Sequence, residues 1–206
     1  MAEKKKETSV IRIEPGKTKI LIARIKGISP LIMHRPSEKT KEKIAAKRAG
    51  EAVQKENIIP EEEIESSIYW IEKDRRMGFP VGGFKQAMVR AATQFNFKMV
   101  DVRQAFFVLG EASTCPNQEG QIYVHIEGDG PHCRYDQVRL PSGGLDIRYR
   151  AYVKDWSAEL KIQFKDGLVS VQELIHILNA AGFSVGVGDW RPACKGDFGR
   201  FEVVNQ

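Results

Sequence analysis

"SVQELIHILNAAGFSVGVGDWRPACKGDFGRFEVV" runs from Ser170 to Val204 and decides the C-terminal half of the fold. Ser170 followed by Glu173 is a capping box, the sequence mark of a helix start. Val171, Leu174, Ile175 and Leu178 then recur at helical spacing and form an apolar stripe. Gly182 stands where a glycine commonly ends a helix, and "RFEVV" reads as a last strand. Between them, Gly186 to Phe201 holds four glycines and a Trp190-Arg191-Pro192 triplet, so it reads as a loop. Gly186 and Gly188 permit left-handed backbone or close approach to a partner. Arg191, Lys195 and Arg200 add cations, and open backbone amides beside cations suit phosphate. The stretch lacks the Gly-Lys-Ser/Thr end of a Walker loop and precedes a strand where a dinucleotide fingerprint would open a helix, which disfavours NTP and NAD. Trp190 either stacks on a base or wedges the loop onto the core; its neighbour Pro192 favours the wedge.

Working back along the chain, "SAELKIQFKDG" alternates Leu160, Ile162 and Phe164 with Lys161, Gln163 and Lys165, the period-two pattern of a strand. "LDIRYRAYVKDW" alternates in the same way. It sets Ile147, Tyr149, Ala151 and Val153 against Arg148, Arg150 and Tyr152. The short link between the two segments predicts a hairpin. Its outer face would then carry Arg148, Arg150, Lys161 and Lys165 with Tyr152 among them, cations for phosphates and a ring for a base. An ordinary wet sheet face is the competing interpretation. "GQIYVHIEG" and "QAFFVLG" supply further strands, and "YDQVRLPSGG" is short and turn-rich.

Upstream, "GFPVGGFKQAMVRAATQFNF" places Phe84, Ala87, Met88, Ala91, Ala92 and Phe95 on one helical face. Lys85 and Arg90 lie off that face. Gly82 and Gly83 precede the first turn, and they either leave amides open to an anion or simply allow a tight turn into the helix. Lys19 to Ile28 is a strand with aliphatics on both faces: Ile20 and Ile22 on one, Leu21, Ala23 and Ile25 on the other. Between these two elements, residues 31–79 read as an inserted helical subregion. It has an exposed helix from Ser37 to Glu56, loosened at Gly50, and a second start at Pro60, while "SIYWIEKD" is either helix or strand. Residues 1–17 form a charged tail with no secretory pattern.

The chain has 206 residues, 42% of them hydrophobic, which suits one large domain at 18–206. Lys and Arg number 32 against 27 Asp and Glu, a net +5 that leans toward a polyanionic partner. Three cysteines, Cys115, Cys133 and Cys194, make no framework and match no zinc spacing. The simplest compartment is a reducing cytoplasm. No apolar run is long enough to span a membrane. Neither a cofactor nor a metal is expected.

The order strand, insertion, helix, strands, helix, strand predicts an α+β, ferredoxin-like (RRM-like) antiparallel sheet with helices on one face, a long insertion after the first strand and extra β-hairpins. "RIKGISPLIM", "FPVGGFKQAMVR" and "GVGDWRPACKGDFGRFEV" together resemble the RAMP (repeat-associated mysterious protein) superfamily, in particular the backbone subunits of CRISPR effector complexes. Phe84, Lys85 and Arg90 occupy the matching places in its helix start. The sequence departs from the pattern at Gly83, where a serine is usual, at Gln86, where a glycine is usual, and at the Trp190-Arg191-Pro192 triplet. The resemblance implies RNA binding, favoured over DNA, and assembly as a homo-oligomer or as a subunit of a larger complex. A stand-alone phage or prophage relative fits it too.

The expectation is therefore a non-catalytic binder of single-stranded nucleic acid, using Gly82, Gly83, Lys85, Arg90, Arg148, Arg150, Tyr152, Arg191, Lys195 and Arg200. The alternatives are a self-assembling structural protein without nucleic acid and a metal-dependent nuclease using His34, Asp189 or Asp197. Asp189 and Asp197 are expected to pair with Arg191 and Lys195.

Overall fold

The structure is a computed structural model, and it describes residues 17–51, 59–73, 75–139 and 143–204. Residues 1–16 of the charged tail lie outside the described residues. The elements are β1 (Thr18–Gly27), β2 (Leu31–Met33), α1 (Glu38–Arg48), α2 (Pro60–Ser67), β3 (Trp70–Glu72), β4 (Arg76–Pro80), α3 (Val81–Ala91), α4 (Met99–Ala105), β5 (Phe106–Leu109), β6 (Glu111–Ala112), β7 (Ile122–His125), β8 (Glu127–Gly128), β9 (His132–Arg139), β10 (Leu145–Val153), β11 (Trp156–Lys165), α5 (Val171–Ala180) and β12 (Phe201–Val203). The fold is α+β, with antiparallel sheets and few helices.

The main sheet has the order β12-β1-β11-β5, and β8 adds a short pairing to β11. β1 runs antiparallel to β11 from Thr18↔Lys165 to Lys26↔Ser157. The alternation of β11 holds: Leu160, Ile162 and Phe164 are buried, and they face α3 and α5 together with Ala23 and Ile25 of β1. The opposite face is open. Ile20 and Ile22 are 59% and 58% exposed there, so β1 is central in the sheet yet covered on one side only.

A second sheet, β2-β10-β9, and a third, β3-β4-β7-β6, lie beside the first. "SIYWIEKD" resolves as strand β3. The predicted β10–β11 hairpin does not form. β10 pairs with β9 and β2, whereas β11 pairs with β1 and β5. The chain changes sheets at Lys154 and Asp155, where Lys154 N–H donates to the Asp129 carbonyl and the Asp155 carbonyl accepts from Asp129 N–H. Arg148, Arg150 and Tyr152 therefore share no outer face with Lys161 and Lys165.

Segment 31–79 holds α1 and α2, but it is more than a helical insertion. Leu31, Ile32 and Met33 are fully buried, and β3 and β4 build the third sheet. Pro60 sits in the first turn of α2, as its lack of a backbone N–H allows. An aromatic chain in edge-to-face contact ties the sheets together: Tyr123–Tyr69–Phe79–Phe84–Phe201–Trp156.

The capping box of α5 is complete. Glu173 N–H donates to Ser170 Oγ at 3.2 Å, and Ser170 N–H donates to Glu173 Oε2 at 2.7 Å. Its buried stripe is Leu174, Ile177 and Leu178, one position rotated from the expected set. Gly182 does not end the helix. The helix widens into a π-turn, Ala181–Val185, and the left-handed stop is Gly186 at φ 68°. Gly182 is there for contact: a Cβ on it would collide with the Phe201 carbonyl of β12. Gly82 and Gly83 likewise lie inside the first turn of α3, which begins at Val81 with no side-chain cap.

Candidate nucleic-acid interface

The glycine loop is pinned by its own backbone. Gly199 N–H donates to the Pro30 carbonyl at 2.8 Å and Asp189 N–H to the Ile32 carbonyl at 3.0 Å, while Val187 N–H donates to Gly199 at 2.9 Å. The loop is thus fixed against the β1–β2 connection. That placement opens a groove of about 860 Å³ between the loop and the exposed side of α3. Gly82, Gly83, Gln86, Arg90 and Thr93 line one wall; Gly186, Gly188, Asp189 and Arg191 line the other, with His34 and Tyr69 at one end. Two glycine-bearing stretches far apart in sequence meet across one cleft.

The groove is donor-rich. α3 has no N-terminal side-chain cap, so its first-turn amides at Gly82 and Gly83 lack the partners that a capping residue gives. Nothing lies within 4 Å of where a Gly82 Cβ would sit. Arg90 lies one helical turn or more along the same wall. Arg191 is half-buried, and its Nη1 donates to the Gly188 carbonyl at 2.9 Å, which holds the guanidinium against the loop.

Behind the loop lies a buried charge network. Arg150 is 1% exposed. Its Nε stands 2.9 Å from Asp189 Oδ2, off the line of a straight hydrogen bond, and its Nη1 donates to Asp136 Oδ2 at 3.4 Å. Arg134 Nε donates to both oxygens of Asp136 at 2.9 Å. The Arg150 and Arg134 guanidinium groups lie 5.1 and 5.5 Å from the Trp190 ring, and Phe198 packs on the same ring at 6.3 Å. Trp190 is half-buried among these groups, as the wedge reading expects, with φ at 51°. His34 Nδ1 lies 3.3 Å from Asp189 Oδ2. The hydrogen bond from His34, with the Arg150 charge and the Trp190 amide, overcomes burial and holds the Asp189 carboxyl down at about 2.

These contacts sort the expected residues. Gly82, Gly83, Arg90 and Arg191 come together in the groove. Lys85 does not join them: its Nζ sits 3.9 Å over the Phe107 ring on the flank of α3, and burial, with Arg103 nearby, lowers its pKa. Arg150 is consumed by the ion-pair network, so it cannot line an open sheet face. Tyr152 is half-buried against His132 at 5.4 Å, and Arg148 is half-buried on the same side of β10, across from Asp136. Lys195 is exposed just after a 3-10 turn, outside the groove walls, and Arg200 lies 5.3 Å from the Phe183 ring. Asp189 pairs with Arg150 and His34, not with Arg191 or Lys195. Tyr69 and Thr93 were not signalled by any motif, and Gln86 stood out only as a departure from the family pattern; each lines the groove because the fold brings its segment there.

Among the described residues no group of three or more His, Cys, Asp or Glu is placed to hold a metal ion. No helix among them is long and apolar enough to cross a membrane.

Compared with known proteins, the chain matches no family model and no curated protein. Among solved structures it is similar in chain path to Cmr6 from Pyrococcus furiosus. The identity is 9% and the TM-score 0.44, over 91% of this chain and 99% of that one.

Proposed function

We propose that this protein is a non-catalytic binder of single-stranded nucleic acid, and that the groove between α3 and the glycine loop holds the strand's backbone. One observation carries the proposal: Gly82 and Gly83, in the uncapped first turn of α3, line one cleft with the glycine loop, Arg90 and Arg191. Uncapped helix amides attract anions, and arginine matches the fork of phosphate oxygens. The cleft encloses about 860 Å³. We further propose that the order β1–α3–β5–β11–α5–β12, with sheet order β12-β1-β11-β5, is a ferredoxin-like unit of the RAMP kind. On this proposal the groove lies at the helix-side rim of that unit, and the open sheet face is left for other contacts.

Assembly as a subunit of a larger complex is part of the same proposal. The β9–β10 hairpin exposes Tyr135, Leu145 and Ile147 beside Gln137 and Arg139, a surface open to a partner.

Fluorescence anisotropy with labelled single-stranded RNA and DNA, in EDTA and in Mg²⁺, tests the proposal. Binding of both strands without cleavage, weakening steeply with salt, is the expected result. Absence of binding at low salt, or loss of intact RNA in Mg²⁺, would overturn it.

A further inference from the structure

The π-turn that ends α5 carries side chains the groove does not use. Gly186 N–H donates to the Ala181 carbonyl at 2.8 Å and closes the turn. A widened turn redirects the side chains that follow it, and such turns recur at functional sites. Val185 lines the groove. Ser184 Oγ accepts from Gln94 Nε2 at 2.7 Å and donates to the Ala180 carbonyl at 2.7 Å, which ties the turn to the segment after α3. Phe183, the next residue back, is outside the groove lining and 68% exposed.

A lone exposed ring needs no explanation. This one has a cation fixed beside it. Gly182 has no Cβ where the Phe201 carbonyl passes, so the π-turn and the start of β12 lie in contact. Their neighbours Phe183 and Arg200 meet there, with the guanidinium 5.3 Å from the ring centre. The Arg200 backbone is anchored: its N–H donates to Ser29 Oγ at 3.0 Å, and its carbonyl accepts from Ile28 N–H at 2.9 Å. Among the described residues no carboxylate pairs with its guanidinium. Phe95, beside Gln94, is exposed too, but it already stacks on His176 at 6.4 Å. A π-face with a cation beside it is what an unpaired nucleotide uses, ring for base and charge for phosphate. Position favours a base over a protein contact, because a strand held along Val185 passes this ring on leaving the groove.

We propose that Phe183 is a base-stacking platform at the exit of the groove: the nucleotide that follows those held in the groove lays its base on the Phe183 ring, and Arg200 meets the phosphate of that nucleotide. The proposal rests on the strand-binding function proposed above. It adds a contact to the bases, tolerant of sequence because every base has a π-face, where the donors of the groove address only the backbone.

The test uses two labelled single strands of equal length in EDTA: oligothymidine, and an abasic chain that keeps the phosphates and lacks the bases. Phe183→Ala and Phe183→Leu are expected to bind oligothymidine about 5-fold or more weakly than the parent, the low end for one stacked base, and to bind the abasic chain as the parent does. Phe183→Trp keeps a ring and should bind oligothymidine at least as tightly as the parent. Its added fluorescence should be quenched by oligothymidine and not by the abasic chain. Parental affinity of a folded Phe183→Ala for oligothymidine overturns the platform and leaves the groove function standing. An equal loss on both strands by that folded variant does the same, and so does fluorescence that the two strands quench alike. Failure of the parent to bind either strand overturns the groove function and this contact with it. Should Phe183→Ala not fold, the quenching decides alone.

Discussion

Arg150 Nε lies 2.9 Å from Asp189 Oδ2, and this pair joins strand β10 of the second sheet to the glycine loop. The loop carries one wall of the groove, so the geometry of that wall depends on a guanidinium that never reaches solvent. Arg150 also faces Asp136, which Arg134 engages from the other side. Two carboxylates and two guanidinium groups thus alternate behind Trp190. Alternation is what makes burial of such charges tolerable, since each has an opposite charge at contact distance.

Removing Arg150 leaves Asp189 and Asp136 facing one another's side of the network without its central cation. Arg150→Ala is expected to cost about 3 kcal/mol, the lower end for breaking a buried pair, because Arg134 still neutralises Asp136. Arg150→Lys should recover only part of that, since an ammonium cannot address two carboxylates in the same fork. Urea denaturation of the three proteins measures both differences. A loss within experimental error for Arg150→Ala would mean that the loop is held by its backbone bonds alone.

The same residues explain what sequence patterning reached and what it missed. The α5 capping box, the faces of β11 and the buried side of α3 from Phe84 to Ala92 are encoded by neighbours a few residues apart, and each was legible; Phe95, expected on the same stripe, falls in a 3-10 turn after the helix ends and is 42% exposed. Arg150 sits in an alternating strand, where a cation between tyrosines ordinarily marks the solvent face. Only the distant Asp136 and Asp189 reverse that. The change of sheet between β10 and β11 was hidden for the same reason, because a strand's alternation states which residues share a face but not which strand lies beside it. Gly182 looked like a helix stop because the sequence does not reveal that the Phe201 carbonyl passes against it. Of the groove, the glycines, Arg90 and Arg191 were legible as types that suit phosphate; their meeting across one cleft was not.

Asp189 gives the fold a defined acid sensitivity. Its carboxyl titrates at about 2 in the folded chain, below its ordinary value of 3.8, with the His34 hydrogen bond as the largest cause. The unfolded chain therefore takes up this proton first as pH falls. The stabilisation is complete above about pH 4 and is lost as pH drops toward 2. It should amount to about 1–2 kcal/mol after allowance for the partial exposure of the group. Stability of the parent and of Asp189→Asn, measured from pH 6 down to roughly pH 2, should converge at the acid end. A constant gap between the two curves would remove Asp189 titration as the cause.

Two glycines predict opposite outcomes for the same substitution. Gly199 has φ 64°, and a Cβ there would strike the Val187 carbonyl. Gly199→Ala should cost well over 1 kcal/mol, as substitutions at left-handed positions without room do. Gly82 is helical, with open space around its missing Cβ. Gly82→Ala should raise stability by up to about 1 kcal/mol through helix propensity while weakening nucleic-acid binding, because the methyl group enters the groove. Thermal unfolding and anisotropy on the two variants separate the effects. Tighter or unchanged binding by Gly82→Ala would move the strand away from the α3 amides.

The cations of the groove and of its flank should differ in their salt signature. Arg90 has no ion-pair partner among the described residues, and Arg191 is held only by the Gly188 carbonyl, so both guanidinium groups remain available to phosphate. Each phosphate contact to a single strand contributes about 0.7 to the slope of log affinity against log salt. Arg90→Ala with Arg191→Ala should flatten that slope by about 1.4 and weaken binding at least about tenfold at moderate salt. Lys85 is spent on the Phe107 ring on the flank of α3. Lys85→Ala should then leave the slope unchanged and cost under about 1 kcal/mol of stability, the worth of an exposed cation–π contact. Anisotropy titrations at several salt concentrations distinguish these cases. A slope that falls with Lys85→Ala and not with the arginine pair would put the strand on the β5 edge of the main sheet in place of the groove.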